Sequence, residues 1–192
     1  MAGTGCLIVI SGPSGAGKTS ICNALLAQVP GTVWSVSMTT RPPRPGEVDG
    51  QSYRFVSRDE FGRHVAAGDL LEHAEYVGQM YGTPRRPVED ALASGKNVVM
   101  EIDVQGGIQV AAKKPDSVRI FVMPPDAQSL RTRLEGRKTE AAGQLARRLA
   151  QADGEISAAR DSGCYPFFVV NDVLESTVEE VKAIVEKEKA RR

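Results

Sequence analysis

Leu7-Ile8-Val9-Ile10-Ser11-Gly12-Pro13-Ser14-Gly15-Ala16-Gly17-Lys18-Thr19 is the stretch that decides the fold. Its second part, Gly12 to Thr19, satisfies G-x-x-x-x-G-K-S/T, a loop whose backbone cradles phosphate oxygens. The setting matters as much as the letters. Residues 7–10 form a short apolar run rich in β-branched side chains, which predicts a buried strand. Beyond the loop, Ile21, Leu25 and Leu26 recur at helical spacing. A loop joining a strand to a helix aims successive N–H groups and the positive end of the helix at an anion. Lys18 would add a cation at the β- and γ-phosphates of a nucleoside triphosphate, and the Thr19 hydroxyl would ligate Mg²⁺. A glycine-rich turn with an accidental lysine would need neither flanking element.

Outward from the loop, strand-like and helix-like segments alternate. Residues 34–38, 53–56 and 70–76 read as strands, 59–67 as a short helix closed by Gly68, and 78–83 as a turn. Pro84 or Pro87 opens a helix that stops at Ser94, with Gly95 in the stop position. Further strands are expected at 97–102, 118–122 and 167–170. Further helices are expected at 127–135, 144–159 and 177–190, the last with Val178, Val181 and Val185 on one face. Strands alternating with helices imply an α/β fold, a parallel sheet covered on both faces. No repeat, low-complexity run or long linker divides the 192 residues, so a single domain is expected.

Composition excludes more than it specifies. Lys plus Arg equals Asp plus Glu at 24 each, which argues against nucleic acid held on a broad basic surface. Cys6, Cys22 and Cys164 form no C-x-x-C pair and make a poor disulfide framework, so reduced thiols in a cytoplasmic protein are expected. No apolar run approaches the roughly 18 residues of a membrane helix. The run at 6–10 is also too short for a signal peptide. Neither a membrane nor a nucleic-acid partner is expected, and oligomeric state is left open. His64 and His73 lack the partners of a metal or triad pattern.

A second informative block is Ser35-Val36-Ser37-Met38-Thr39-Thr40-Arg41-Pro42-Pro43-Arg44-Pro45-Gly46-Glu47. Its prolines limit backbone freedom around two arginines, whose planar forks suit phosphate oxygens. The residues alone leave two readings open, a second anion site or a solvated proline-rich loop. Read alone, Glu72 is better taken as a strand carboxylate facing water, and Tyr53 and Tyr81 as ordinary core or edge aromatics.

Residues 10–19, 35–44, Gly46-Glu47-Val48-Asp49-Gly50 with Tyr53, and Tyr81-Gly82-Thr83 follow one another in order. Glu101-Ile102-Asp103-Val104-Gln105-Gly106, Arg133-Leu134-Glu135-Gly136-Arg137 and Val169-Val170-Asn171-Asp172 complete the series. Together they resemble guanylate kinase, the nucleoside monophosphate kinase family that transfers a phosphoryl group from ATP to GMP. The block 37–44 with Tyr53 and 81–83 carries more of this resemblance than the widely shared phosphate loop.

The resemblance implies a P-loop kinase with a core (1–33, 84–135 and 158–192), an inserted GMP-binding α+β subdomain (34–83) and a mobile lid (136–157). It implies that Arg41, Arg44, Tyr53 and Tyr81 hold the GMP phosphate, and that Ser37, Glu72 and Thr83, with Gly82, meet the guanine. A carboxylate matches guanine's N1–H and N2–H₂ donors, whereas adenine would leave buried groups unpaired. Glu101 and Asp103 are expected on the GMP side, with Asp103 also holding Mg²⁺ through water, although Asp103 competes as a helix N-cap. Glu101 stands where many relatives have aspartate. Arg133, Arg137 and Asn171 are expected near ATP, with Lys18, Arg137 and Arg148 as the catalytic cations. Ala141-Ala142-Gly143-Gln144 departs from the acidic or hydroxyl residues usual in such lids and implies a looser one. Two other readings remain. A guanylate-kinase-like binding module would typically lose the lysine at position 18. A kinase for another small phosphate acceptor would not need Glu72, Thr83 or the 37–44 block.

Overall fold

The computed structural model describes residues 5–76, 78–135 and 142–191. The chain runs from β1 (Leu7–Ser11) into α1 (Lys18–Gln28) and then β2 (Thr32–Trp34) at the edge of a first sheet. It crosses to a second sheet through β3 (Met38–Thr39), β4 (Arg54–Phe55), α2 (Arg58–Ala66), β5 (Leu70–Tyr76) and β6 (Gln79–Pro84). It returns along α3 (Arg85–Ala93) to β7 (Asn97–Glu101), α4 (Val104–Lys113), β8 (Val118–Met123), α5 (Ala127–Glu135), α6 (Ala142–Asp161), β9 (Phe167–Val170) and α7 (Leu174–Ala190).

The first sheet has the order β2-β7-β1-β8-β9, with every pair parallel. Its central strand is buried on both faces, and alternation divides its side chains. Ile8 and Ile10 pack with Ile21, Leu25, Val178 and Val181 of α1 and α7. Leu7 and Val9 pack with Val88, Val98, Met100 and Val110 on the other face. Strand order reverses beside β1, so the crevice at its carboxyl end is where ligands bind in open α/β sheets. The phosphate loop leaves β1 at that point.

The second sheet, β4-β3-β6-β5, is antiparallel except where β3 pairs with β4. Its core is small, built on Met38, Phe61 and Leu70. Polar ties hold it to α4. Gln109 Nε2 donates to the His73 carbonyl at 2.8 Å, its Oε1 accepts from the His73 N–H at 3.1 Å, and Lys113 donates to the Leu70 carbonyl at 3.0 Å.

Two expected elements are corrected. Residues 34–38 are not one strand: Trp34 pairs with β7, whereas Met38 pairs with Gly82 and Arg54, so the segment between them steps from one sheet to the other. Residues 78–83 are not a turn but mostly strand β6, paired with both β5 and β3. Two-sided pairing overrides the Gly82 turn signal, and the left-handed turn residue is Gly78 at φ 72°. The helix expected at 144–159 extends over α6, Ala142–Asp161.

Candidate functional site

The phosphate loop is built by backbone. Gly17, the residue before α1, has φ 92°, a left-handed conformation that favours glycine. A Cβ there would stand 2.1 Å from Asn171 Nδ2, because that amide donates to the Ala16 carbonyl at 2.7 Å. Arg133 in turn donates to the Asn171 carbonyl at 2.9 Å. Asn171 and Arg133, expected near ATP, thus brace the loop from behind. The Lys18 ammonium donates to the carbonyls of Gly12 and Pro13 at 2.7 and 3.1 Å, curled over the loop that would carry the phosphates.

Two carboxylates stand at the carboxyl end of β7, Glu101 as its last residue and Asp103 two residues on. Asp103 caps α4, accepting from the Gly106 N–H at 2.8 Å, so the structural reading of this residue holds. Glu101, expected on the GMP side, accepts from the Thr19 hydroxyl at 3.0 Å. The longer side chain therefore reaches the loop residue whose hydroxyl serves Mg²⁺ in enzymes of this type. A hydroxyl and two carboxylates are hard oxygen donors, the set Mg²⁺ takes beside water and substrate phosphates. Among the described residues, no group of three or more His, Cys, Asp or Glu forms a metal cage.

The residues expected at the guanine come from three segments. Thr83 on β6 donates to Glu72 Oε1 on β5 at 2.6 Å, and the Ser37 hydroxyl lies 3.1 Å from Thr83 Oγ1. Since the Thr83 proton goes to Glu72, Ser37 is the donor to Thr83. Glu72 is only 4% exposed, and burial pushes its carboxyl up to about 7, against the lowering effect of the Thr83 bond. A Cβ on Gly106 would sit 2.9 Å from Glu72 Oε2, so α4 closes over the carboxylate at a glycine.

On the phosphate side, Arg41 forks onto Glu47 at 2.7 and 3.0 Å, and Glu47 also accepts from the Arg44 N–H at 2.7 Å. The Arg41 guanidinium lies 5.5 Å from the Tyr53 ring centroid, and Tyr53 meets Tyr81 edge-on at 6.1 Å. The Glu47 bond raises the Arg41 pKa, and the Arg41 fork lowers that of Glu47. Glu47 therefore has a contact the sequence reading did not give it: it fixes the Arg41 fork. Its place three residues after Arg44 was the signal available. Arg44 itself is exposed.

One cavity of about 930 Å³ runs from the phosphate loop to Ser37 and Tyr53, while Arg41, Arg44, Glu72, Tyr81 and Thr83 stand outside its lining. Its walls include the loop from Gly12 to Thr19 together with Ser37, Tyr53, Glu101 and Asp103. Gln151 and Glu155 of α6 also face it, and burial raises the Glu155 carboxyl. Arg148, three residues before Gln151, shares that helical face. Arg137 and Ala141 lie outside the described residues, whereas Ala142, Gly143 and Gln144 of the expected lid departure form the start of α6.

A strand–phosphate loop–helix at the switch point of a parallel sheet, facing a cleft whose other wall carries Ser37 and Tyr53, is the arrangement of a P-loop nucleotide kinase. A family model described as guanylate kinase matches residues 4–188. A guanylate kinase of Symbiobacterium thermophilum is 50% identical over 97% of this chain and 87% of its own length. One from Rubrobacter xylanophilus is 49% identical over 95% of this chain and 94% of its own. A crystal structure of guanylate kinase from Anaplasma phagocytophilum superposes with a TM-score of 0.77 at 35% identity, covering 97% of this chain and 87% of that one. The chain belongs to the guanylate kinase family.

Proposed function

We infer that this chain carries a phosphoryl group from ATP to GMP, giving ADP and GDP. The observation that carries the reading is the buried chain Ser37–Thr83–Glu72, whose outer member lines the same cavity as an intact phosphate loop. Glu72 accepts from guanine N1–H and N2–H₂ once ionised. The Ser37 and Thr83 protons are committed along that chain in the substrate-free form, so guanine entry reorganises the chain and lets one hydroxyl donate to O6. Arg41, Arg44, Tyr53 and Tyr81 receive the GMP phosphate. Lys18 and the loop N–H groups hold the ATP phosphates, and Arg137 and Arg148 neutralise charge on the transferring group. Thr19 and Glu101 would hold Mg²⁺, with Asp103, the cap of α4, as the further carboxylate available to it through water. The ion would supply positive charge against the phosphates during transfer. Three free thiols suit a reducing cytoplasm. An assay of ADP formation with Mg-ATP and GMP, AMP, CMP or UMP tests the reading. GMP is expected to be the strong substrate, and equal rates with AMP would defeat it.

We further propose that residues 34–83 move as a GMP-binding unit and that 136–157 act as a lid. The small separate core of the second sheet and its polar attachment to α4 support the first part. Phosphates of both substrates offset the repulsion among Lys18, Arg41 and Arg148 that closure brings. Small-angle scattering should show a smaller radius of gyration with GMP plus a non-hydrolysable ATP analogue. An unchanged radius would rule closure out.

A further inference from the structure

Tyr165 stands in the short segment between α6 and β9, outside the lining of the nucleotide cavity. It is 4% exposed, and its ring packs edge-on against Phe121 at 5.4 Å, in a cluster with Val104 and Ala159. A phenylalanine would fill this apolar setting equally well. The hydroxyl is therefore the part of the side chain that needs a reason. It donates to the Ser11 hydroxyl at 2.9 Å and makes a longer contact, at 3.4 Å, with the Val104 carbonyl.

Ser11 supplies the other half of the link. It ends β1 after the apolar run Leu7 to Ile10, is fully buried, and leads directly into Gly12 of the phosphate loop. Its hydroxyl accepts from Tyr165 and turns its own proton toward the Asp103 carbonyl at 3.4 Å. The two hydroxyls thus bridge the root of the phosphate loop and the start of α4, whose cap is Asp103. A glycine allows this approach, since a Cβ on Gly107 would overlap the Tyr165 hydroxyl and stand 3.3 Å from Ser11 Oγ. The loop is held at both ends, by Asn171 at Ala16 and by Tyr165 at Ser11. Burial raises the phenol pKa, so the group stays protonated and remains a donor.

We propose that Tyr165 is a positioning residue for the ATP half of the site: through Ser11, its hydroxyl fixes the spacing between the phosphate loop and the Asp103 end of α4. The inference rests on the reading that ATP phosphates lie on the loop and that Asp103 serves their Mg²⁺ through water. A nucleotide held by the loop amides alone is indifferent to this spacing. A nucleotide that also engages Asp103 through its metal ion spans both elements and depends on it, as a ligand does on the groups that orient its donors. Tyr165 therefore acts on the metal-bound nucleotide and hardly on the bare one. The residues assigned to guanine are tied separately, Thr83 to Glu72 on the second sheet.

The probe is adenylyl imidodiphosphate, a non-hydrolysable ATP analogue, titrated by calorimetry into the full chain with Mg²⁺ and, separately, with EDTA. The readout is the gain in affinity that Mg²⁺ brings. Wild type should bind more tightly with the ion. Tyr165→Phe should cut that gain about threefold or more, in keeping with one buried hydrogen bond, and leave the metal-free affinity unchanged. Ser11→Ala should do the same. The double variant should lose no more than either single one, because both hydroxyls act in one chain. Thermal melts record what each substitution costs the fold. If Tyr165→Phe does not fold, Ser11→Ala carries the test. A folded variant that melts lower but keeps the wild-type Mg²⁺ gain overturns the proposal, as do losses that add in the double variant. A wild type without any Mg²⁺ gain overturns it too. Failure to use GMP falls on the functional reading alone, since the binding ratio is measured without GMP.

Discussion

The loop at residues 12–19 and the cluster of Ser37, Thr83 and Glu72, the two proposed substrate sites, are built from different materials. The loop offers backbone N–H groups, one lysine and a helix end, all within eight consecutive residues. The cluster offers side chains from three separated segments, one of them a buried carboxylate held at 2.6 Å by a neighbouring hydroxyl. A backbone site needs only correct φ and ψ, is indifferent to the base of its ligand, and binds phosphate. A site of buried side chains is costly to assemble and discriminates, because a wrong partner leaves its polar groups unsatisfied.

The largest effect is expected where that division is attacked at Lys18. Lys18→Ala should reduce kcat by about three orders of magnitude or more, since the cation is lost where charge shifts in transfer. Its ammonium caps loop carbonyls rather than filling the core, so the melting temperature should stay within a few degrees and GMP binding should persist. Retention of a tenth of the activity would break the contrast by making the loop dispensable.

Glu72 should give the intermediate effect, and with a sign specific to buried carboxylates. Below pH 4.5 the group is protonated in folded and unfolded chains alike. As pH rises from 4.5 towards 7 the unfolded chain releases its proton first, so this group lowers stability across that window and its cost is constant above it. A carboxyl displaced from 4.5 to about 7 withholds on the order of 3 kcal/mol at pH 8. Glu72→Gln should therefore melt higher than wild type at pH 8 and match it near pH 4, while GMP binding is impaired and ATP binding is kept. In wild type the apparent GMP affinity should improve as pH rises through about 7, a dependence the variant should lack. Calorimetry and GMP titrations across this range measure both.

The same division explains what could be read in the letters. The loop, its strand and its helix were legible because their determinants are contiguous. So was most of the first sheet, where apolar runs such as 7–10 and 118–122 are bounded by turn signals. Residues 34–38 and 78–83 were misread because their conformation is set by partners far along the chain, β7 for Trp34 and β5 and β3 for Tyr81. Glu72 looked like any strand carboxylate until Gly106 and Thr83 were seen to close over it. Only resemblance singled it out. Glu47 showed its part only through the geometry of the Arg41 fork.

The most direct test uses the smallest chemical difference. GMP and IMP differ only in the 2-amino group, one of the donors assigned to Glu72, so their ratio of kcat/KM isolates that contact. Wild type should favour GMP by about 10- to 100-fold, in keeping with one buried charge-assisted hydrogen bond. Glu72→Gln should bring the ratio close to one, with the KM for ATP unchanged in both proteins. Equal use of GMP and IMP by wild type, or a ratio that survives in Glu72→Gln, would contradict the assignment of guanine recognition to this buried carboxylate.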